Sequence, residues 1–173
     1  MTPDERQLVL RLVTSPNHPA QIGKDEFLRQ IGATSGVELG IVLLRDAVQR
    51  QDSYDVELAL IVGFSFGFTE DHLPMLVPLA LSDWHHSHED VVGAFRILPT
   101  PMSVPALTHL ATHVPEYLIF DDARALSVKA IWALGAISDS TAQQSLQSLA
   151  HSDVKIVSLN AKAQLERKRE NEY

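Results

Sequence analysis

The amino-acid sequence predicts an all-α protein, an α-solenoid of about five helical hairpins in a single domain over residues 1–173. Two observations predict this fold class. Apolar residues follow helical spacing almost everywhere, and a set of residue types recurs every 36 positions. The composition, with 45% apolar and 21% charged residues, is typical of a folded globular chain and excludes wholesale disorder.

The first predicted helix carries the apolar residues of Leu8–Val13 on one face. Thr2 can cap its N-terminus, Pro3 suits its first turn, and Ser15–Pro19 is expected to end it. Nine further helices are predicted, at Lys24–Ile31, after Gly36, after Asp52 and Ser53, near Thr69, near Glu89, near Ser103, and at Ala123–Ile137, Thr141–Ala150 and Asp153–Arg169.

Two of these helices carry more detailed expectations. The apolar face of the third helix is expected to comprise Leu39, Val42, Leu43 and Ala47. After the fourth helix begins, Phe64–Phe68 alternates like a strand, but the stretch is short and isolated. We therefore interpret it as a helix end followed by a turn.

The internal repeat is visible in Val56, Val92 and Val128, which are 36 residues apart. The same offset aligns three further sets: Leu58 with Ala94 and Ala130, Val62 with Leu98 and Leu134, and Gly63 with Pro99 and Gly135. The last set is informative because glycine and proline both end helices. Paired helices that bury apolar stripes against neighbouring pairs are the units of an α-solenoid.

The segment Arg124–Asp139 resembles the bacterial HEAT-like repeat of the phycobilisome-lyase type. The late part of that repeat is matched by Leu134-Gly135, Ile137 and Asp139. The resemblance implies a right-handed α-solenoid of about five HEAT-like helical hairpins. Gly135 is expected to adopt the left-handed conformation that caps a helix.

A second resemblance concerns Asp83–Val92 and the repeat unit that contains Trp132. Together they resemble small HEAT-repeat immunity proteins of polymorphic toxin systems. That resemblance implies a non-enzymatic protein-binding module that neutralises a cognate bacterial toxin by direct binding. A general HEAT-repeat scaffold or adaptor is the alternative among binding proteins, and a metal-dependent enzyme that uses His85–Asp90 is the alternative among enzymes.

Composition narrows the function classes further. There is no cysteine, which excludes disulfides, thiolate nucleophiles and cysteine zinc sites. With 14 basic and 22 acidic residues the net charge is −8, so general nucleic-acid binding is not expected. No apolar run reaches the roughly 18 residues of a membrane span, and the N-terminus does not resemble a signal peptide. We therefore expect no membrane association and a cytoplasmic location.

The acidic residues are concentrated in the middle of the chain. Residues 51–123 contain eleven acidic residues and a single basic one, Arg96, for a net charge of −10. One interpretation is solubility together with favourable helix-dipole interactions. The other is an electronegative surface for a basic protein, such as a nuclease-type toxin that must bind phosphate.

The histidine-rich segment offers metal-ligating side chains in an unfavourable arrangement. If the segment starts a helix, His85 faces Glu89 and His86 faces Asp90, which gives two ligands per face where zinc needs three or four. We therefore expect no metal and no cofactor. The sequence Gly63–Gly67 reads G-x-S-x-G, but its helical context does not suit a nucleophile turn.

Aromatic residues near these acids suggest where a partner would bind. Trp84 lies at a turn, and the loop that contains Tyr117 is longer than a minimal repeat needs. Trp132 is expected to pack between helices or to line a groove, whereas His109 and His113 are interpreted as ordinary surface or packing residues. The predicted partner-binding residues are Asp71, Asp83, Trp84, His85, His86, Glu89, Asp90, Tyr117, Asp121 and Asp122.

Overall fold

The computed structural model describes residues 1–13, 19–121 and 124–170, and every regular element in these ranges is helical. The ten α-helices of the described residues are α1 (Pro3–Leu10), α2 (Lys24–Ile31), α3 (Gly36–Arg50), α4 (Ser53–Phe66), α5 (Leu73–Leu79), α6 (His88–Ile97), α7 (Val104–Thr112), α8 (Ala125–Ala136), α9 (Ser140–Leu149) and α10 (Lys155–Glu170). The all-α prediction is confirmed. Among the described residues, no single helix is long and apolar enough to cross a membrane, and α2 and α3 pass that test only together, as a pair bent by 56°.

Helix boundaries follow from local capping. At α1 the Thr2 side chain accepts the Glu5 N–H and the Glu5 carboxylate accepts the Thr2 N–H, which is a complete capping box. Gly32 ends α2 with a left-handed φ of 75°. The predicted first helix is too long, since α1 ends at Leu10 with Arg11 as its C-cap, before Leu12 and Val13. Residues 15–18 of the expected stop, and the helix start expected at Ala123, lie outside the described residues.

The chain divides into two compact units, Met1–Met75 and Leu76–Tyr173, and the single-domain expectation stays a prediction. In the first unit, α1 packs against α2 and α4, and α3 packs against α4. Its core contains Val9, Phe27 and Val62, each with no exposed surface.

The predicted face of α3 is partly wrong. Val42 is 56% exposed, whereas Gly36, Gly40 and Leu44 are buried together with Ala47. Gly36 lets α3 approach α4 closely, since a Cβ at this position would overlap the Phe66 ring on α4. A pattern based on large apolar residues misses a contact face built from glycine.

A buried carboxylate, Asp55, is the centre of an ion-pair network in the first unit. Its oxygens accept hydrogen bonds from the Met1 amino group at 2.6 Å, from Arg6 Nε at 2.8 Å and from Arg50. Burial alone would raise the pKa of Asp55, but these three cationic donors outweigh it and lower the pKa to about 2. Asp55 and its neighbour Asp52, which also pairs with both arginines, therefore add little free negative charge to the surface.

In the second unit, α8 is the central helix. It packs against α6, α7, α9 and α10, and α7 also packs against α9. Its buried residues include Ala130, Ile131 and Leu134, none of which has exposed surface. The recurring positions Leu58, Ala94 and Ala130 are all fully buried, although Val128 is only partly so.

The expectation for Gly135 is wrong. Gly135 lies inside α8 without a positive φ, and the positive-φ glycines of the described residues are Gly32 and Gly67. A Cβ at Gly135 would overlap the side chain of Gln164 on α10. The glycine therefore makes room for a neighbouring helix, and Ile137 continues the chain in an extended conformation.

The Asp55 arrangement predicts a large effect of removing one carboxylate. We expect Asp55→Ala to lower the free energy of unfolding by about 3 kcal/mol, because it leaves the buried Met1 amino group without its acceptor and removes the carboxylate that pairs with Arg6 and Arg50. Glu57→Ala, an exposed position on the same helix, should change it by less than about 0.5 kcal/mol. Urea denaturation measures both, and equal effects would contradict this role.

The same carboxylate predicts the direction of a pH dependence. The folded-state pKa of Asp55 lies below the ordinary value of 3.8, so its contribution is complete above that value and is lost as the pH falls towards 2. The stability lost between pH 5 and pH 2 should therefore be smaller in Asp55→Ala than in the parent. An identical loss in both proteins would contradict it.

The packing of Gly135 predicts a coupled pair. Alanine favours a helix over glycine by about 1 kcal/mol, yet Gly135→Ala should destabilise the protein by about 1–3 kcal/mol because its Cβ overlaps Gln164. Adding Gln164→Ala should recover much of that loss, which a double-mutant cycle of unfolding free energies measures. Strictly additive effects would show that the two positions do not compete for space.

Candidate functional site

The histidine-rich turn is built around a buried imidazole. His85 lies between α5 and α6 and has no exposed surface. Its Nε2 is 2.7 Å from the carbonyl oxygen of Leu79, and its Nδ1 accepts the Ser87 N–H at 3.0 Å. Because Nδ1 is the acceptor, Nε2 carries the proton and donates to Leu79. His85 is thus a neutral side chain that fixes the path of the turn.

A second buried imidazole, His88, begins α6 and stacks on His85 with ring centroids 4.3 Å apart. Its Nε2 donates to the Ser82 carbonyl oxygen at 2.8 Å, and its Nδ1 lies 3.0 Å from the Tyr117 hydroxyl. Burial, followed by the proximity of His85, lowers the pKa of His88 to about 4. His88 is therefore neutral at physiological pH.

Tyr117 joins this turn to a loop that is distant in sequence. Its hydroxyl donates to the His86 carbonyl oxygen at 3.0 Å and meets His88 Nδ1 at the same distance. The rings of His86 and Tyr117 are 4.5 Å apart. A hydroxyl carries one proton, so it can donate to either the His86 carbonyl oxygen or His88 Nδ1. Its position beside both atoms links the loop to the turn.

The result is one surface formed by residues 82–90 and 116–121. Asp83, His86 and Glu116 are exposed on it, and Phe120 is 82% exposed. We call Asp83, His86, Glu116, Tyr117 and Phe120 the acidic-aromatic surface. Acidic side chains around an exposed aromatic ring can attract a basic protein and provide an apolar anchor for it.

The structure assigns different environments to the predicted partner-binding residues. Asp83 and His86 are exposed, Asp90 is exposed on α6, and Tyr117 is partly buried beside His86. Trp84 is partly buried, with its ring edge-on to His85 at 5.2 Å. Asp83, His86, Asp90 and Tyr117 all lie in the second unit, where the Tyr117 hydroxyl joins the loop to the turn.

Other predicted residues have different roles. The expectation that His85 contacts a partner is wrong for this structure, because the side chain is buried and does not reach the surface. Glu89 forms an ion pair with Lys129 at 2.9 Å, which offsets its charge. Asp121 accepts the Ala125 N–H at 2.7 Å and caps the start of α8. Asp71 is exposed but belongs to the first unit, and Asp122 is outside the described residues.

The predicted geometry of the histidine segment also needs correction. The helix begins at His88, so His85 and His86 precede it and do not form helical pairs with Glu89 and Asp90. Both ring nitrogens of His85 and of His88 take part in hydrogen bonds. Across the described ranges, no group of three His, Asp or Glu side chains is arranged to hold a metal ion.

Glu116, Ile119 and Phe120 are absent from the predicted partner-binding residues, although the loop Tyr117–Asp122, which contains Ile119 and Phe120, is expected to contact a partner. Ile119 is 67% exposed, and its neighbour in sequence, Phe120, is 82% exposed. A usable signal was present, since Leu118–Phe120 is an apolar run between acidic residues in a loop. Exposed apolar neighbours of this kind mark interaction sites more often than isolated ones do.

Trp132 lies at the surface rather than in the core. It is 38% exposed on α8, its Nε1–H donates to Asn160 Oδ1 at 3.2 Å, and the Arg167 guanidinium lies 5.5 Å above its ring. This environment agrees with the groove-lining alternative. His109 and His113, one turn apart around the end of α7, are exposed and stack at 4.7 Å.

Comparison of the chain with protein-family models, with curated proteins and with solved structures gives no match. The HEAT-like and immunity-protein resemblances therefore stay predictions.

The buried tyrosine contact predicts a measurable change on removing one oxygen. Tyr117→Phe should lower the free energy of unfolding by about 1–2 kcal/mol, because His88 Nδ1 loses its partner in a buried position. Tyr54→Phe, at an exposed phenol in the first unit, should have little effect. Chemical denaturation provides the comparison, and equal effects would show that the Tyr117 hydroxyl is not engaged as described.

His88 also predicts a pH dependence. The pKa of His88 is about 4 in the folded protein, well below the ordinary histidine value of 6.5, so stability should fall as the pH drops from 6.5 towards 4 while the unfolded chain takes up a proton. In an NMR titration the His88 ring signals should stay at their neutral positions until about pH 4. A midpoint near 6.5 would contradict burial of this imidazole.

Proposed function

We propose that this protein is a non-enzymatic protein-binding module, an immunity protein that neutralises a basic, nuclease-type bacterial toxin in the cytoplasm by direct binding. The observation that carries the proposal is the acidic-aromatic surface, where Asp83 and Glu116 accompany the exposed ring of Phe120. No cofactor and no metal take part. An acidic inhibitor of this kind covers the basic surface with which a nuclease binds phosphate.

The chemistry of the surface supports tight and fast association. Aromatic side chains that become fully desolvated dominate binding energies, and Phe120 offers a large apolar area for that purpose. Exposed carboxylates steer a basic partner and raise the association rate. The buried hydrogen bonds of His88 and Tyr117 hold the surface in place before binding, which reduces the entropy lost on association.

The fold we propose for this function is a right-handed α-solenoid of about five HEAT-like hairpins. The second unit supports it, because α6, α8 and α10 pack in succession while α7 packs against α9. Contacts between every second helix, together with the contacts of consecutive helices, are what stacked hairpins produce. Such an array presents its inter-helix loops along one edge, where Tyr117 and Phe120 lie in a loop.

A general scaffold or adaptor remains the second candidate, and the loop surface would serve it equally. The two functions differ in consequence, because only an immunity protein protects a cell against a toxic partner. A metal-dependent enzyme is disfavoured by the hydrogen bonds that occupy both nitrogens of His85 and His88.

The experiment uses the product of the gene adjacent to the one that encodes this chain. Expression of that product in a bacterial host should arrest growth, and co-expression of this protein should restore it. Phe120→Ala should weaken binding by about 2 kcal/mol, roughly 30-fold, in a calorimetric titration, because it removes the apolar anchor. The matched control is Leu159→Ala, which truncates an exposed apolar residue on α10.

A second set of variants tests the charge of the surface. The double variant Asp83→Lys/Glu116→Lys should lower the association rate about 10-fold at low salt, and added salt should reduce the difference. Glu166→Lys on α10 is the matched control for charge. Full protection and an unchanged association rate in the double variant and in Phe120→Ala would place the contact elsewhere. A non-toxic adjacent product that still binds would favour the scaffold.

A further inference from the structure

A small cavity opens beside the acidic-aromatic surface. It has a volume of about 220 Å³, and its polar lining consists of Ser82, Asp83, His88, His109, His113 and Glu116. Two of these residues, Asp83 and Glu116, are also members of the surface itself. The cavity is smaller than the roughly 300–1,000 Å³ of most ligand and cofactor clefts, so its size suits a side chain better than a free cofactor.

The walls of the cavity combine negative charge with flat rings. The rings of His109 and His113 stack at 4.7 Å with an angle of 27° between their planes. Burial, followed by the charge of His113, lowers the pKa of His109, and the pKa of His88 is about 4. With the pKa values of His88 and His109 lowered, the carboxylates of Asp83 and Glu116 supply the negative charge of this lining.

We propose that this cavity receives an arginine side chain of the basic partner. The inference rests on the proposed function and names the chemical group that the partner inserts. A planar guanidinium stacks on the exposed imidazoles of His109 and His113 and places its N–H groups towards the carboxylates of Asp83 and Glu116. A single arginine beside the Phe120 anchor then defines the partner's contact motif.

Arginine fits these walls better than the other cations. A lysine ammonium is a compact, strongly hydrated charge that gains less from flat rings than a guanidinium does. A metal ion would need three or four converging ligands, and in the part of the chain that the structure describes no three His, Asp or Glu side chains are arranged to hold one. The pairing of flat rings with carboxylates therefore selects for a delocalised planar cation.

The experiment uses the full chain and a defined probe. N-acetyl-arginine amide is titrated into the isotope-labelled protein, and N-acetyl-citrulline amide serves as the uncharged isostere. The arginine probe should produce saturable NMR shifts of the His109 and His113 rings with a dissociation constant of roughly 10 mM or tighter, and the citrulline probe should not. The double variant Asp83→Asn/Glu116→Gln should weaken binding at least about fivefold, whereas Glu166→Gln should leave it unchanged.

The outcomes separate this inference from the proposed function. No saturable shift, or equal shifts with the citrulline probe, overturns the arginine site even if Phe120→Ala still weakens binding of the toxin. Saturable arginine binding without any toxic or basic partner overturns the immunity proposal and leaves a guanidinium site. Equal binding by the double variant and the parent would show that the carboxylates play no part.

Discussion

The hydrogen bonds of His88 are the constraint on which the acidic-aromatic surface depends. A buried polar group must find partners, and this imidazole finds them in the Ser82 carbonyl and in the Tyr117 hydroxyl, 29 positions along the chain. The buried His85 imidazole likewise forms hydrogen bonds with the Leu79 carbonyl oxygen and the Ser87 N–H within the turn. As a result two loops that share no regular secondary structure are fixed against one another. Charge and aromatic area on those loops then act as one surface.

Acidic residues in the two units illustrate how burial decides the role of a carboxylate. Asp55 has no exposed surface and three cationic donors, so it stabilises the first unit and contributes little to the external field. Asp83 and Glu116 are exposed and flank a cavity, so their charge is available to a partner. The segment charge of −10 overstates the electronegative surface because it counts both kinds equally. What matters for steering is the exposed fraction close to an apolar anchor.

Much of the helical pattern could be predicted, because helical periodicity and capping residues are local signals. α2 was predicted with the boundaries it has, and Thr2 and Asp52 cap the helices they precede. Errors arose where the deciding contact is distant in sequence. The sequence predicts a cap at Gly135 because nothing local reveals that the glycine packs against Gln164 on another helix. It predicts a partner contact at His85 because nothing local reveals the buried hydrogen bonds of this side chain.

The candidate site was predictable only in outline. A surplus of acidic residues and an unusually long loop point to these two segments, but the pairing of Tyr117 with His86 and His88 requires the fold. The cavity beside them could not be inferred at all, since its lining comes from α6, α7 and two loops. The sequence predicts only ordinary surface or packing roles for His109 and His113. The structure places this stacked pair in one cavity with the carboxylates of Asp83 and Glu116.

The central claim is that residues 82–90 and 116–121 form one partner-binding surface. Hydrogen–deuterium exchange of the complex with the adjacent gene product tests it most directly. The account predicts that binding slows exchange in both segments together and leaves α10 unaffected. Protection confined to α10 or to Met1–Met75, with both segments exchanging as in the free protein, would contradict it.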